Sequence, residues 1–366
     1  MGTTQTAVHA GLEGVVVAET RLSEVDGERG RLVIAGDDVE ALAGASSFED
    51  VCARLWAPYA KQALPDSLQA ALGEARVRAF GLLDGLGDAL SAEDGMDALR
   101  AAAAHVPEHP EGELATHLLL TGALAVFAGA WVRRRRGLAP LRPDPTLSHA
   151  ADLLRMVTGE LHHERAAGLD AYLVTVSDHG LNASTFTARV IASTGSDAVS
   201  AVVGAIGALK GPLHGGAPGP VLDMLDGIAR PERATSWLEE ELRAGRRIMG
   251  MGHRIYRVRD PRAAVLERAL ERLERGGLRT ERLALARAVE RAAEDLLRQR
   301  YPDRPLRANV EFYTAVLLDA VGLDRTMFSP AFACGRVAGW LGHISEQRVT
   351  GRLIRPASRY VGPMPG

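Results

Sequence analysis

The chain has 366 residues, 46% of them hydrophobic and 24% charged, with a formal net charge of −3. These are globular values, and the length exceeds a usual single core, so one large domain with a subordinate one is expected. The mild acidity excludes a general attraction to nucleic acid or anionic membranes, and no apolar run long enough to span a bilayer is expected.

Met1 to Ala10 carry neither an apolar signal core nor an Arg-rich transit pattern. Leu12 to Ala35 hold β-branched runs, Val15-Val16-Val17 and Leu32-Val33-Ile34, around Asp26-Gly27, which predicts a short hairpin. Apolar residues at spacings of three and four then predict helices over Phe48–Trp56, Leu68–Leu90 and Glu113–Val132. Pro140 to Pro145 break the chain, and Ala150 to Thr158 resume it. Ser184 to Lys210 read as helical but rich in small residues, as in a buried helix pair or a subunit interface. Ala263 to Arg300 form an amphipathic pair broken at Gly276-Gly277, and Tyr313–Val321 and Phe332–Glu346 are apolar helices. Arg352 to Gly366 are expected to be an extended arm. The expected class is all-α with a minor hairpin. Cys52 and Cys334 are the only cysteines, which excludes a disulfide framework and a thiolate metal site and implies a reduced, cytoplasmic setting.

Three histidines lie beside glycines: His179 in S-D-H-G-L-N-A-S-T, His214 in K-G-P-L-H-G-G-A and His253 in M-G-M-G-H-R-I-Y. A lone histidine is more often a satisfied core residue. His214, however, follows the helix stop Gly211-Pro212, so its ring is expected to face a gap. Asp178 either orients His179 or caps a helix. Downstream of His253, Arg254, Arg257, Arg259 and Arg262 make a cationic segment, either a solvated loop or a site for carboxylates or phosphates. Glu311 heads an apolar helix, where it either favours the macrodipole or acts as a base. Arg336 sits in an otherwise apolar helix and needs a partner or a bound anion. His162-His163-Glu164 lacks zinc-ligand spacing and reads as a surface patch, and Arg133 to Arg136 as a solvated helix end. No phosphate-binding glycine loop follows a strand.

These motifs, in this order, resemble the citrate synthase family of the shorter bacterial and archaeal type over almost the whole length. The resemblance rests on Gly11-Leu-Glu-Gly-Val-Val, Val25-Asp-Gly, Asp178-His-Gly-Leu-Asn-Ala-Ser-Thr and Gly211-Pro-Leu-His-Gly-Gly-Ala. It continues through Gly252-His-Arg-Ile-Tyr, Asp260-Pro-Arg, Asn309-Val-Glu-Phe-Tyr, Arg336 to Glu346 and Ile354-Arg-Pro. It implies a helical homodimer: a large domain over 1–215, completed by 324–366 with the arm, and a small domain over 216–323 that closes on the substrates. The implied reaction condenses acetyl-CoA with oxaloacetate in the Claisen manner and hydrolyses citryl-CoA, as in the tricarboxylic acid cycle. It needs no metal or redox cofactor, the coenzyme A thioester being a substrate. By resemblance, His214, His253 and Glu311 are catalytic. His179, Arg262 and Arg336 hold oxaloacetate, with Arg355 reaching in from the partner subunit. Arg257 and the backbone of Ile248, Met249, Gly250, Met251 and Gly252 would contact coenzyme A. The sequence departs from the family at Glu311, where Asp is usual, at Pro218 in place of Asn, and at Ile34-Ala35-Gly36 in place of Tyr-Arg-Gly. A 2-methylcitrate synthase using propionyl-CoA is the near alternative, since one methylene changes specificity by roughly 1–3 kcal/mol. A weakened homologue that only binds coenzyme A or a dicarboxylate is a further one.

Overall fold

The computed structural model describes residues 8–12, 14–214, 218–278 and 281–365. The hairpin forms where Asp26-Gly27 directs it. Strands β1 (Ser23–Asp26), β2 (Arg31–Ile34) and β3 (Asp37–Asp38) make an antiparallel sheet in the order β1-β2-β3, with Ser23 opposite Ile34 and Asp26 opposite Arg31. Val15 to Val17 lie outside it and are exposed, a correction to the longer hairpin expected. β-branched composition makes a strand only where a partner edge is available.

Everything else of regular structure is helical. Helices α1 (Val39–Leu42), α2 (Phe48–Trp56), α3 (Leu68–Phe80), α4 (Gly95–Ala103) and α5 (Glu113–Arg135) are followed by α6 (His149–Thr158) and α7 (His163–Val176). Capping begins several of them: Ser47 and Asp50 form a reciprocal capping box at α2, and Ser148 caps α6. Helix α5 corrects an expectation, because its 23 residues are long and apolar enough to cross a bilayer. It is instead a core helix, buried continuously from Thr116 to Val132 among α3, α4, α6 and α15. A helix surrounded on all sides needs no polar face.

The small-residue stretch is two helices, α8 (Ala183–Ser193) and α9 (Ala198–Leu209), packed as a hairpin. The chain turns at Gly195, whose φ is +83°, and Asp197 caps α9 by accepting from the Ser200 N–H. Helices α10 (Pro218–Ile228), α11 (Ala234–Arg243), α12 (Pro261–Arg275), α13 (Glu281–Arg300) and α14 (Val310–Ala320) follow. Helix α12 packs on α14 and also on α7 and α1, so it ties the 218–320 segment to the rest. The 215–216 boundary expected between domains lies outside the described residues. Helix α15 (Phe328–Thr350) is buried from Ala331 to Gln347 and touches α2, α4, α5, α7, α8 and α9. Residues 351–365 have no regular structure and are almost wholly exposed, as expected of an arm.

Candidate active site

Four stretches distant in sequence meet at the N-terminal ends of α8, α12 and α14 and along one face of α15. The His253 loop is built first. The Asn309 backbone N–H donates to the Gly250 carbonyl (2.9 Å), and its side-chain amide donates to the Gly252 carbonyl (2.8 Å). The Gly252 N–H donates to Arg307 (2.7 Å), so the glycine loop and the head of α14 form one unit. The hairpin fixes its other side. Arg257 N–H donates to the Gly27 carbonyl (2.9 Å), and a Cβ on Gly27 would lie 2.3 Å from the Ile255 carbonyl oxygen. Only glycine allows that approach.

Within this frame His253 Nδ1 accepts the backbone N–H groups of Ile255 (3.0 Å) and Tyr256 (3.1 Å). The neutral ring therefore carries its proton on Nε2, which lies 3.4 Å from Arg262 Nη2. Tyr256 was not singled out from the sequence, although it ends the G-H-R-I-Y motif. It is buried, its ring centroid lies 4.7 Å from that of His253 and 5.7 Å from that of His179, and its hydroxyl is 3.1 Å from His179 Nε2. His179 and His253 face each other edge to face at 5.9 Å.

The two arginines are buried, 4% exposed for Arg262 and 1% for Arg336, but are compensated differently. Asp260 caps α12, grips Arg262 at Nε (3.0 Å) and Nη2 (2.8 Å), and accepts the Val310 N–H at the head of α14. Arg336 forms no ion pair among the described residues. It donates to the Val176 carbonyl (2.5 Å) and stacks over Phe332 at 4.9 Å. Burial holds its pKa down at about 10, so it is still a cation at neutral pH.

His214 lies just past α9. The Ser184 backbone N–H points at its Nε2 (3.3 Å), and Ser184 Oγ is 2.8 Å from the same atom. A backbone N–H only donates, so Nε2 presents a lone pair and the proton belongs on Nδ1. The Phe332 ring stands at 6.4 Å. The Gly215-Gly216-Ala217 part of its motif lies outside the described residues. Asn309 caps α14 through the Glu311 N–H (3.0 Å), and among the described residues the Glu311 carboxyl makes no hydrogen bond.

The electrostatics join these groups. Burial, then the Arg262 and Arg336 cations, push His179 well below its ordinary value. Burial brings His214 and His253 down to about 4, with Arg336 and Arg262 contributing at His214 and Arg262 at His253. Burial raises Glu311 to about 7 against the pull of Arg262. Arg262 thus acts electrostatically on three histidines and a carboxyl, and its Nη2 lies 3.4 Å from His253 Nε2. Near pH 7 the site offers neutral imidazoles, a half-ionised carboxyl and two cations. That suits proton abstraction beside a carbonyl, with an anionic reactant held nearby.

Other expected residues lie apart. Arg259 is neutralised by Glu267 and Glu290, while Arg254 and Arg257 are exposed. Arg355 is exposed on the C-terminal arm. Ile248 and Met251 are buried and line a cleft of about 380 Å³ together with Arg246, Arg247, Arg300 and Arg304. Among the described residues no group of three His, Cys, Asp or Glu side chains could hold a metal ion.

Residues 11–357 match the family model described as the citrate synthase C-terminal domain. Citrate synthase of Haloferax volcanii is 37% identical over 96% of this chain and 95% of its own length. A 2-methylcitrate synthase of Mycobacterium tuberculosis is 36% identical over 97% of this chain and 91% of its own. Among solved structures, the complex of carboxymethyl coenzyme A and oxaloacetate with citrate synthase from Thermoplasma acidophilum superposes with a TM-score of 0.85 at 25% identity, covering 98% of this chain and 97% of that one. With the helical fold and the histidine, arginine and carboxyl site assembled as described, the chain belongs to the citrate synthase family, enzymes of acyl-transfer condensation.

Proposed function

We propose that the protein condenses acetyl-CoA with oxaloacetate and hydrolyses the resulting citryl-CoA to citrate and coenzyme A. The observation that carries this reading is that Glu311, His179, His214 and His253 all feel the charge of Arg262, beside a second buried cation, Arg336, that forms no ion pair among the described residues. A thioester α-proton is very weakly acidic, so a carboxylate removes it only if the enolate oxygen is stabilised at the same moment. Glu311 takes the methyl proton, and the Nδ1–H of neutral His214 donates to the thioester oxygen. A preorganised donor of this kind contributes about 3 kcal/mol. The Nε2–H of His253 polarises the oxaloacetate ketone, and a neutral imidazole serves as the electrophile because its low pKa keeps it unprotonated. Arg262, Arg336 and His179 bind the two carboxylates, and Arg355 of a second copy completes the set in a homodimer. Coenzyme A lies toward the arginine cleft, where Arg247, Arg300 and Arg304 form no ion pairs among the described residues and are open to phosphates. The neighbouring backbone of 248–252, and Arg257, complete that contact.

Glu311, one methylene longer than the usual Asp, reaches the site from the N-terminal turn of α14. Two substrates differing by a methylene distinguish the two readings that the named relatives represent. Purified protein is given oxaloacetate with acetyl-CoA or propionyl-CoA, and free thiol is followed. Faster release from acetyl-CoA supports the citrate reading, and faster release from propionyl-CoA replaces it with 2-methylcitrate synthesis. Release with neither refutes both. Glu311→Gln should abolish release while oxaloacetate still binds by calorimetry.

A further inference from the structure

One face of α15 carries Arg336, Gly339, Trp340, His343, Glu346 and Gln347, spaced by three and four residues so that they stack along the helix. Arg336 is already in the site. The others stand behind it, buried: Gly339 and His343 meet the segment that bears His179, Trp340 meets Ser184, and Glu346 and Gln347 meet Arg189. Gly339 makes the approach possible, because a Cβ there would lie 2.3 Å from the Ser177 carbonyl oxygen and 2.8 Å from Asp178 Oδ1.

We propose that Trp340 and His343 are positioning residues that act on different histidines through separate relays, Trp340 on His214 through Ser184 and His343 on His179 through Asp178. The inference rests on the roles assigned above to His214 and His179.

In the first relay, Trp340 Nε1–H donates to Ser184 Oγ (3.1 Å), whose single hydroxyl proton is shared between Asn182 Oδ1 (2.8 Å) and the lone pair of His214 Nε2 (2.8 Å). Asn182 caps α8 by accepting the Ser184-adjacent Thr185 N–H (3.1 Å). The serine side chain is therefore held from two sides while its own N–H reaches His214 Nε2. Trp340 fixes the seat against which the His214 ring rests and so aims Nδ1–H at the thioester.

In the second relay, Arg189 donates to His343 Nδ1 (3.0 Å), so the neutral ring donates its Nε2–H to Asp178 Oδ2 (3.1 Å). Glu346 pairs with Arg189 (2.5 Å), which holds that guanidinium in place. Ser23, from the hairpin, donates to the same Asp178 oxygen (2.5 Å) and accepts the Gly180 N–H (2.8 Å). Asp178 and Gly180 are thus clamped on either side of His179, with His343 as the anchor. Asp178, His343, Arg189 and Glu346 are all buried, so loosening one end of the relay displaces the imidazole that faces the dicarboxylate.

The two relays predict opposite kinetic signatures. Trp340→Phe keeps the packing and removes the N–H. It should lower kcat about tenfold with the KM and calorimetric Kd for oxaloacetate within twofold, a loss of the order of one hydrogen bond. His343→Leu should raise the Kd and KM for oxaloacetate about tenfold with kcat within threefold, and His343→Gln, which keeps a donor toward Asp178, should restore affinity. Thermal melting of each variant accompanies the kinetics. Melting lowered with no change in kcat for Trp340→Phe, or no change in oxaloacetate Kd for His343→Leu, would reduce the face to a structural role and overturn the proposal. So would a Gln variant no better than Leu. If the unaltered protein releases no thiol, the function assigned above fails. The relays are then read by oxaloacetate calorimetry for His343 and by the ¹⁵N imidazole spectrum of His214, whose Nδ1–H resonance should shift and broaden in Trp340→Phe as the ring loses its fixed seat; a spectrum identical to that of the unaltered protein would refute that arm.

Discussion

Two buried arginines in different parts of the molecule show what separates a structural charge from a functional one. Arg76 on α3 is fully enclosed, and every face of its guanidinium is answered. Nε meets Asp152 (2.8 Å), Nη2 donates to the Leu147 (2.8 Å) and Asp144 (3.3 Å) carbonyls, and Nη1 meets His149 Nδ1 (3.3 Å). Arg336 on α15 is as deeply buried, yet it has one carbonyl and one aromatic ring. A cation removed from water is costly unless its donors are satisfied, and Asp152 repays that cost at Arg76. At Arg336, Asp178 acts without forming an ion pair, and in the proposed function a bound carboxylate completes the compensation. Burial alone does not distinguish the two; the partner set does.

The comparison can be broken in several ways, beginning with the largest effect. His214→Ala should reduce thiol release by roughly 10²–10³-fold, the usual cost of one preorganised donor, with oxaloacetate affinity intact. A normal rate would remove His214 from the site chemistry. Arg336→Leu should weaken oxaloacetate binding at least a hundredfold by calorimetry while leaving the melting temperature unchanged or higher, because an uncompensated charge is removed. A large loss of melting temperature with affinity preserved would make Arg336 structural, like Arg76.

Arg76→Met should do the reverse. It strands part of the Asp152 charge, which Arg155 still partly answers (2.8 Å), and should cost about 3 kcal/mol in denaturant unfolding with little change in substrate affinity. Loss of affinity at unchanged stability would erase the contrast. The smallest effect is one of pH. Glu311 is raised to about 7 by burial and must be ionised to accept a proton. Turnover should therefore rise with pH through about 7 and fall about tenfold per unit below it. A profile flat from pH 5.5 to 8 would show that another base operates.

Much of this was legible along the chain. The helices at Phe48–Trp56, Glu113–Arg135, Pro261–Arg275 and Glu281–Arg300, and the hairpin at Asp26-Gly27, carry their own periodicity, caps and turn residues. His179, His214, His253, Glu311, Arg262 and Arg336 were marked by glycines, helix starts or a charge in an apolar helix. Helices α4, α7, α10 and α11 were not anticipated. The break within Ser184–Lys210 also escaped, because a run of Ala, Val and Gly carries no polar face to set its ends.

What the sequence determined by itself is local: where periodicity changes, which ends are capped, and which residue types are chemically able to act. Only the tertiary structure decided which of them meet. Arg259 and Arg262 are near neighbours in the chain, yet one is consumed by Glu267 and Glu290 while the other, held by Asp260, lowers the pKa of three histidines. Asp178, Ser184, Trp340 and His343 gain their roles only because α15 packs against the His179 segment at Gly339. Hydrogen bonds and desolvation act over a few ångströms in space, so spacing along the chain cannot specify them.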